Sequence, residues 1–279
     1  NKPSSTHCLD DFLLYDQFFK SEVHHSPLLP MMICQSPHFK DVLHPTLSSS
    51  NNYRFVGPVI INKNDEIKEN AQSFGEDSTR KKLQEFIASS VERKPVYMGW
   101  GSMIRKSTQE MALFAVEVLM MSNKRGIVLG GSAGLSMKVL KDAVAAGKAT
   151  NDDDATKIID YAKDNVIFVD KAPHEWLFPQ VSLTVHHGGA GTLNAALRAG
   201  VPTIVTPVFG DQYDNSFVVQ NLKVGVGFKQ QLQKIEAKDL SKAIDAVTND
   251  PAMATRAKEI GVEMRKECGC SAIVEEVER

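Results

Sequence analysis

A strand that runs into three glycines within four positions, and then straight into a helix, limits what this chain can fold into more than any other feature. Residues 182–186 read as a short β-run, Gly188, Gly189 and Gly191 follow at once, and 192–199 reads as a helix closed by Gly200. A new strand starts at Pro202 and runs to Thr206. Where a strand turns into a helix, backbone N–H groups lack intrahelical partners and the helix dipole adds roughly half a positive charge. Glycines at such a turn let an anion come close, so the turn is a candidate diphosphate cradle.

The spacing narrows this reading. G-x-x-x-x-G-K-[ST] is absent, and GGAG is not G-x-G-x-x-G. No acidic residue follows about twenty positions on, at the end of the next strand, where a dinucleotide site would hold the adenosine ribose. Asp211-Gln212 instead lies just after the run 204–208, where the loops of a parallel sheet converge on a ligand. A carboxylate beside a carboxamide accepts from and donates to vicinal hydroxyls, which points to a sugar. Diphosphate and sugar together point to a nucleotide-sugar site.

These residues carry a resemblance. PHEWLFP, HHGGAGT, LRAGVPT and FGDQ, between Pro173 and Gln212, resemble the donor-binding signature of the UDP-dependent glycosyltransferases of the GT-B fold. Within that superfamily they look closest to the sterol 3β-glucosyltransferases, with bacterial antibiotic glycosyltransferases a step further away. PVYMGWGSM, from Pro95 to Met103, is similar to the first strand and Gly-Ser turn of the family's C-terminal domain, and 125–131 to its second strand. The resemblance runs from about Tyr53 to the C-terminus.

The 279 residues, 42% hydrophobic and 24% charged, suffice for one full α/β domain plus a remnant. A net charge of −2 speaks against a nucleic-acid surface, and no run of about eighteen apolar residues is present to cross a membrane. The chain begins at Asn1 without a charged-then-apolar leader, and a truncated start is expected. Cys8, Cys34, Cys268 and Cys270 fit neither a disulfide framework nor zinc spacing, so reduced thiols and a cytoplasmic location, with possible peripheral membrane contact, are expected. His7-Cys8 and His24-His25 lack the companion ligands of a metal site.

Organisation changes near Tyr53 and again near Pro95. Residues 1–52 lack sustained periodicity, and 54–61 reads as a strand interrupted by Gly57-Pro58. The resemblance makes 1–62 the tail of an N-terminal acceptor domain with its linker, and 63–279 the UDP-sugar-binding domain. Ser78 is expected to cap a helix running to about Ser90. Beyond it, strands are expected at 95–98, 126–129, 166–169, 183–186, 203–206 and 225–228. Helices are expected at 108–122, 135–146, 192–199, 213–222, 237–247, 252–268 and 272–277. This alternation is a Rossmann-like, doubly wound parallel sheet. Residues 147–164, with Asp152-Asp153-Asp154, read as a solvated insertion loop.

By the resemblance, His187 lies against the donor phosphates, with Gly188, Gly189, Ala190, Gly191 and Thr192 offering backbone N–H groups and Thr192 a hydroxyl. Asp211 and Gln212 correspond to the pair that holds the transferred hexose, although a helix-capping Asp211 stays open. Ser102 is placed at the diphosphate, and Ala172 and His174, flanking Pro173, at the uracil, largely through backbone. His186 faces the other side of its strand and reads as structural. Trp176-Leu177-Phe178 reads as an apolar patch anchoring a short helix. Lys171 and Ala195 stand near the places where the plant enzymes carry a tryptophan and a ribose-binding glutamate, which favours the sterol and bacterial subgroups.

The resemblance implies transfer of a hexose, glucose above all, from a UDP-sugar to a lipid hydroxyl, a sterol 3β-hydroxyl first, with inversion and without a metal or other cofactor. The expected partners are UDP-glucose and a sterol or other lipid acceptor. No motif in 1–62 nominates a catalytic base, which the family keeps in its N-terminal domain. Two other classes stay open: a non-catalytic donor-binding subunit of a two-chain glycosyltransferase, and a UDP-sugar epimerase of the same fold.

Overall fold

The computed structural model describes residues 31–43, 53–59, 74, 77–147 and 152–278. They fall into two compact units, one made of the segments that end at Gly57 and begin at Gly269, the other spanning Pro58–Cys268. In the first unit β1 (Met31–Ile33) pairs in parallel with β2 (Tyr53–Phe55), and a short helix, α1 (Lys40–Leu43), lies between them in sequence. The expected strand 54–61 is thus limited to its first residues. Gly57 sits at φ +87 just before Pro58, and the pair breaks the extended run. A final helix, α11 (Gly269–Val277), belongs to this unit, where Glu276 pairs with Arg54 at 3.5 Å.

The second unit is a six-stranded sheet, all parallel, made of β3 (Val96–Gly99), β4 (Gly126–Leu129), β5 (Val166–Val169), β6 (Leu183–His186), β7 (Thr203–Val205) and β8 (Gly225–Gly227). Its order is β5-β4-β3-β6-β7-β8. The chain therefore starts in the middle, builds one half outward, and returns past β3 to build the other. Both faces are buried, which is why the strands read as continuous apolar runs. Alternation sends Val96, Met98 and Val128 to one core and Tyr97 and Ile127 to the other.

The first core is covered by α3 (Thr108–Met121), α4 (Met137–Ala145), α5 (Asp152–Asn165) and α9 (Ala237–Thr248). α3 is apolar almost all round, with Met111 to Val116, Val118 and Leu119 buried, because neighbours surround it. The second core lies under α2 (Asp77–Ala88), α6 (His174–Leu177) and α7 (Ala190–Ala199). α8 (Gln212–Asn221) packs on β7 and β8, and α10 (Pro251–Met264) on α7. The α7–α10 contact is backbone on backbone: a Cβ on Gly261 would fall 2.7 Å from Gly200 Cα and 2.8 Å from Leu197 O.

Several expected boundaries shift for identifiable reasons. The insertion loop at 147–164 is largely helix, since α5 buries Ile158 and Ala162, one turn apart. The helix expected at 252–268 stops at Met264, whose carbonyl accepts from Arg198 Nη1 at 2.5 Å. Ser136 rather than Leu135 opens α4, its hydroxyl accepting from Val139 N at 3.2 Å. Ser78 lies inside α2, which starts at Asp77. α7 starts two residues earlier than expected, at Ala190, with Gly189 as its N-cap.

Candidate functional site

Open parallel sheets bind ligands beyond the carboxyl ends of their strands, at the point where strand order reverses. Here that point lies between β3 and β6, and Gly99 and His186 pair directly across it. The turn after β3 carries Gly101 and Ser102, and the turn after β6 carries His187 and the glycines. The fold thereby places two segments 85 residues apart in sequence, from Ser102 to His187, at one crevice.

A buried hydrogen-bond chain fixes the strand ends beneath it. Trp100, 1% exposed, donates from Nε1 to Thr206 Oγ1 at 2.9 Å, and Thr206 Oγ1 donates to His186 O at 3.3 Å. His186 is fully buried and accepts at Nδ1 from Gly188 N at 3.0 Å, so its proton is on Nε2, which meets Thr203 Oγ1 at 2.9 Å. Thr203 also accepts from Thr184 Oγ1 at 2.8 Å and donates to Thr184 O at 3.4 Å. Each group in this chain is satisfied by a neutral imidazole. Burial pushes the His186 pKa down to about 3, with the neighbouring His187 and His174 adding to the shift.

Gly188 sits at φ +90, where a Cβ would fall 2.6 Å from Val205 Cγ1 and 3.2 Å from Gln212 O. No larger residue fits that conformation and that space. Its carbonyl accepts from Asn215 Nδ2 at 2.8 Å, so α8 holds the turn from the other side. Gly189 then caps α7, and a Cβ there would fall 2.5 Å from His187 Nε2. Ala190 and Gly191 are exposed, Thr192 half-buried, and around Gly191 the space is open. The free N–H groups of the first turn therefore face outward.

The His187 ring lies between the two turns: a Cβ on Gly101, at φ +62, would stand 3.8 Å from its Cε1. Its Nδ1 is buried with no hydrogen-bond partner in the protein. Burial lowers the His187 pKa, against the opposing pull of Asp211. The ring is therefore neutral at pH 7 and offers one N–H and one lone pair. An unpartnered buried nitrogen is costly, and a ligand oxygen there would satisfy it.

Asp211 and Gln212 play different parts. Asp211 is exposed at the start of α8 and makes no side-chain capping bond. Gln212 is 4% exposed, and its Oε1 accepts from Val208 N at 2.8 Å and Phe209 N at 3.3 Å. The carboxamide oxygen thus shapes the loop, which leaves the NH₂ as the group able to meet a ligand. Asp214, half-buried beside Asp211, has its pKa raised by burial and by that neighbouring charge.

Ser102 is exposed at the tip of the β3 turn. Ala172 and His174 follow β5, the outer strand of that half-sheet, so the structure puts them two strands from β3 on the same edge. The His174 ring turns into the second core, stacked on Phe178 at 4.5 Å and bonded through Nε2 to Tyr97 Oη at 3.0 Å. Burial and then the His187 charge lower its pKa to about 4. Leu177 and Phe178 are fully buried around α6, which is the anchoring patch expected there.

Two contributors escaped the sequence reading. Gly130 to Gly134, GGSAG, follows β4 as GGAG follows β6, and at Gly131 (φ +46) a Cβ would stand 3.8 Å from Gly101 O. This second glycine-rich turn lies against the turn after β3, and its signal was the run itself. Asn215 carries no motif, and only the fold reveals its grip on Gly188. Among the described residues no group of three His, Cys, Asp or Glu side chains is placed to hold a metal ion. Cys34, Cys268 and Cys270 form no disulfide, while Cys8, His7, His24 and His25 lie outside the described residues.

Comparisons with known proteins agree with this fold. A segment of 203 residues, 70% of this chain, is 35% identical to the sterol 3-beta-glucosyltransferase of Komagataella phaffii and covers 14% of that protein. The Saccharomyces cerevisiae sterol 3-beta-glucosyltransferase is 37% identical over 203 residues, 15% of its length. The chain thus spans about one seventh of the curated relatives it matches. Among solved structures, the glycotransferase of kitacinnamycin superposes with a TM-score of 0.56 at 16% identity, over 98% of this chain and 63% of that one. A UDP-glucose: anthocyanidin 3-O-glucosyltransferase in complex with UDP superposes with a TM-score of 0.54 at 17% identity, over 70% of this chain and 43% of that one. These likenesses show the fold of the GT-B glycosyltransferases. The family described as erythromycin biosynthesis protein CIII-like, C-terminal domain, matches residues 138–279, just over half of the chain and all of its glycine turn, and the protein belongs to that family.

Proposed function

We propose that the chain binds a UDP-sugar at the β3–β6 crevice and serves the transfer of its hexose, glucose first, to a lipid hydroxyl, with the 3β-hydroxyl of a sterol as the leading acceptor. The observation that carries this reading is His187: a neutral imidazole with an unpartnered buried Nδ1, held between two glycine turns at the N-terminus of a ten-residue helix. Such a site presents dipoles and N–H donors to a diphosphate with no fixed cation of its own. The acceptor class comes from the names of the relatives, and the UDP from the ligand of one structural neighbour.

In the inverting displacement the acceptor oxygen forms a bond to the anomeric carbon as the bond from that carbon to the β-phosphate oxygen breaks. The electron pair of the broken bond stays on UDP. Outward N–H groups of Ala190, Gly191 and Thr192, with the His187 N–H, stabilise that growing charge, which is preorganised electrostatic catalysis. Asp211 accepts from sugar hydroxyls and the Gln212 NH₂ donates to one, fixing the hexose for in-line attack. A base from the acceptor side takes the hydroxyl proton. On this reading the donor half needs no metal.

Calorimetry in excess EDTA tests the proposal. UDP and UDP-glucose bind, and ADP binds more weakly. Absence of binding in EDTA, or equal affinity for ADP, overturns the site.

A further inference from the structure

Four cations gather at the opposite edge of the sheet, without a counter-ion among the described residues. Arg93 and Lys94 stand just before β3, Lys124 and Arg125 just before β4. In a parallel sheet that is the amino-terminal edge. A strand of four residues, at roughly 3.3 Å each, separates it from the glycine turns by about 13 Å. The four side chains line a surface cavity of about 440 Å³, together with Ser182 and Glu92.

Arg125 is 5% exposed, and its guanidinium is solvated by protein dipoles alone. It donates to Phe86 O, to Ser89 Oγ at 2.7 Å, and to Ser90 O and Arg93 O at 3.4 Å, while lying over the Phe86 ring at 4.1 Å. Arg93 is exposed and donates to Asn123 O at 3.3 Å, and Lys124 is half-buried. Among the described residues no carboxylate comes within 4.0 Å of any of the four, Glu92 included. Burial lowers the Arg125 pKa, and the Arg93 charge lowers it further, so the two guanidinium groups repel each other. A cation taken out of water with no opposite charge beside it is costly. A dianion in the cavity relieves both the desolvation and the repulsion, and phosphate oxygens suit arginine and lysine donors.

We propose that this cavity is a second anion site, separate from the glycine turn, which takes a phosphate dianion through Arg93 and Lys124 over the fixed charge of Arg125. Free phosphate and the headgroup of phosphatidic acid share this chemistry, and the test distinguishes them. The Arg93→Gln/Lys124→Gln double variant alters one exposed and one half-buried side chain, and thermal unfolding confirms that it folds. Backbone amide NMR follows titration with inorganic phosphate. Sedimentation follows binding to phosphatidylcholine vesicles with and without phosphatidic acid.

Phosphate shifts the amides of 91–94 and 123–125 in the natural chain, and the double variant binds at least tenfold more weakly, about 1.4 kcal/mol. Phosphatidic-acid-dependent pelleting that the variant loses identifies the lipid headgroup as ligand, whereas phosphate shifts without pelleting identify a soluble one. The absence of both responses in the natural chain, or their persistence in the variant, overturns the proposal. UDP binding, read in parallel, stays equal in the two proteins. A parallel loss of UDP in the variant refutes the separateness of the sites, and a failure of UDP in both proteins bears on the donor site alone.

Discussion

Acidification should unlatch the glycine turn, because the imidazole bonded to it, His186, must stay neutral, and a second imidazole, His174, adds to the same loss of stability. His186 accepts from Gly188 N at Nδ1, and a proton there would set donor against donor. Its pKa is depressed to about 3 in the fold, and that of His174 to about 4, against 6.5 in the unfolded chain. A depressed pKa contributes stability that is present above the unfolded value and lost as pH falls towards the folded one. Between pH 6.5 and about 4 the unfolded chain binds protons that the native chain refuses, so each histidine costs about 1.4 kcal/mol per pH unit. From pH 7.5 to 5 each contributes a loss of about 2 kcal/mol, and the pair about 4 kcal/mol. Urea unfolding across this range measures the slope, and UDP affinity should fall in step. His186→Gln lowers stability at every pH, yet it should remove about half of the histidine-linked slope. An unchanged slope in that variant, or an NMR titration of His186 near pH 6.5, would refute the latch.

Three further outcomes follow from the same geometry. Gly188→Ala places a Cβ at φ +90 against Val205 and should cost about 1–3 kcal/mol, read by thermal unfolding, with UDP affinity falling more than a surface substitution causes. Asp211→Ala should weaken UDP-glucose by about 1.5–3 kcal/mol while sparing UDP, since the lost bond is to the hexose; equal weakening of both ligands would remove Asp211 from the sugar. The 279 residues span about one seventh of the sterol glucosyltransferases they match, and they should bind the donor without glucosylating ergosterol; sterol glucoside formed by this chain would place a base within it.

The sheet was legible because its inner strands, β3, β4, β6 and β7, are buried on both faces and so declare themselves as largely apolar runs between turn residues. Helix ends were less legible, since distant partners set them: α10 stops where Arg198, on α7, takes the Met264 carbonyl. α5 was missed for a related reason. Its polar face dominates the sequence, and the two residues that dock it, Ile158 and Ala162, acquire meaning only from the core they meet.

At the site, the residues that sequence picks out are those whose backbone demands them. Gly188 is legible because φ +90 beside Val205 and Gln212 O admits glycine alone, and His187 because it sits in that motif. What the motif cannot display is the division of labour among its members. Asp211-Gln212 reads as a matched pair, yet Gln212 accepts from Val208 N and Phe209 N, and its oxygen builds the loop on which Asp211 is presented. His186 and His187 are likewise adjacent in sequence and opposite in role. The first lends its lone pair to Gly188, and the second keeps its Nδ1 unpaired. One imidazole holds the glycine turn still, and the other is the one that the proposed diphosphate would meet. The difference arises where the strand ends: His186 is the last residue of β6 and is fully buried, whereas His187 is the first residue of the turn.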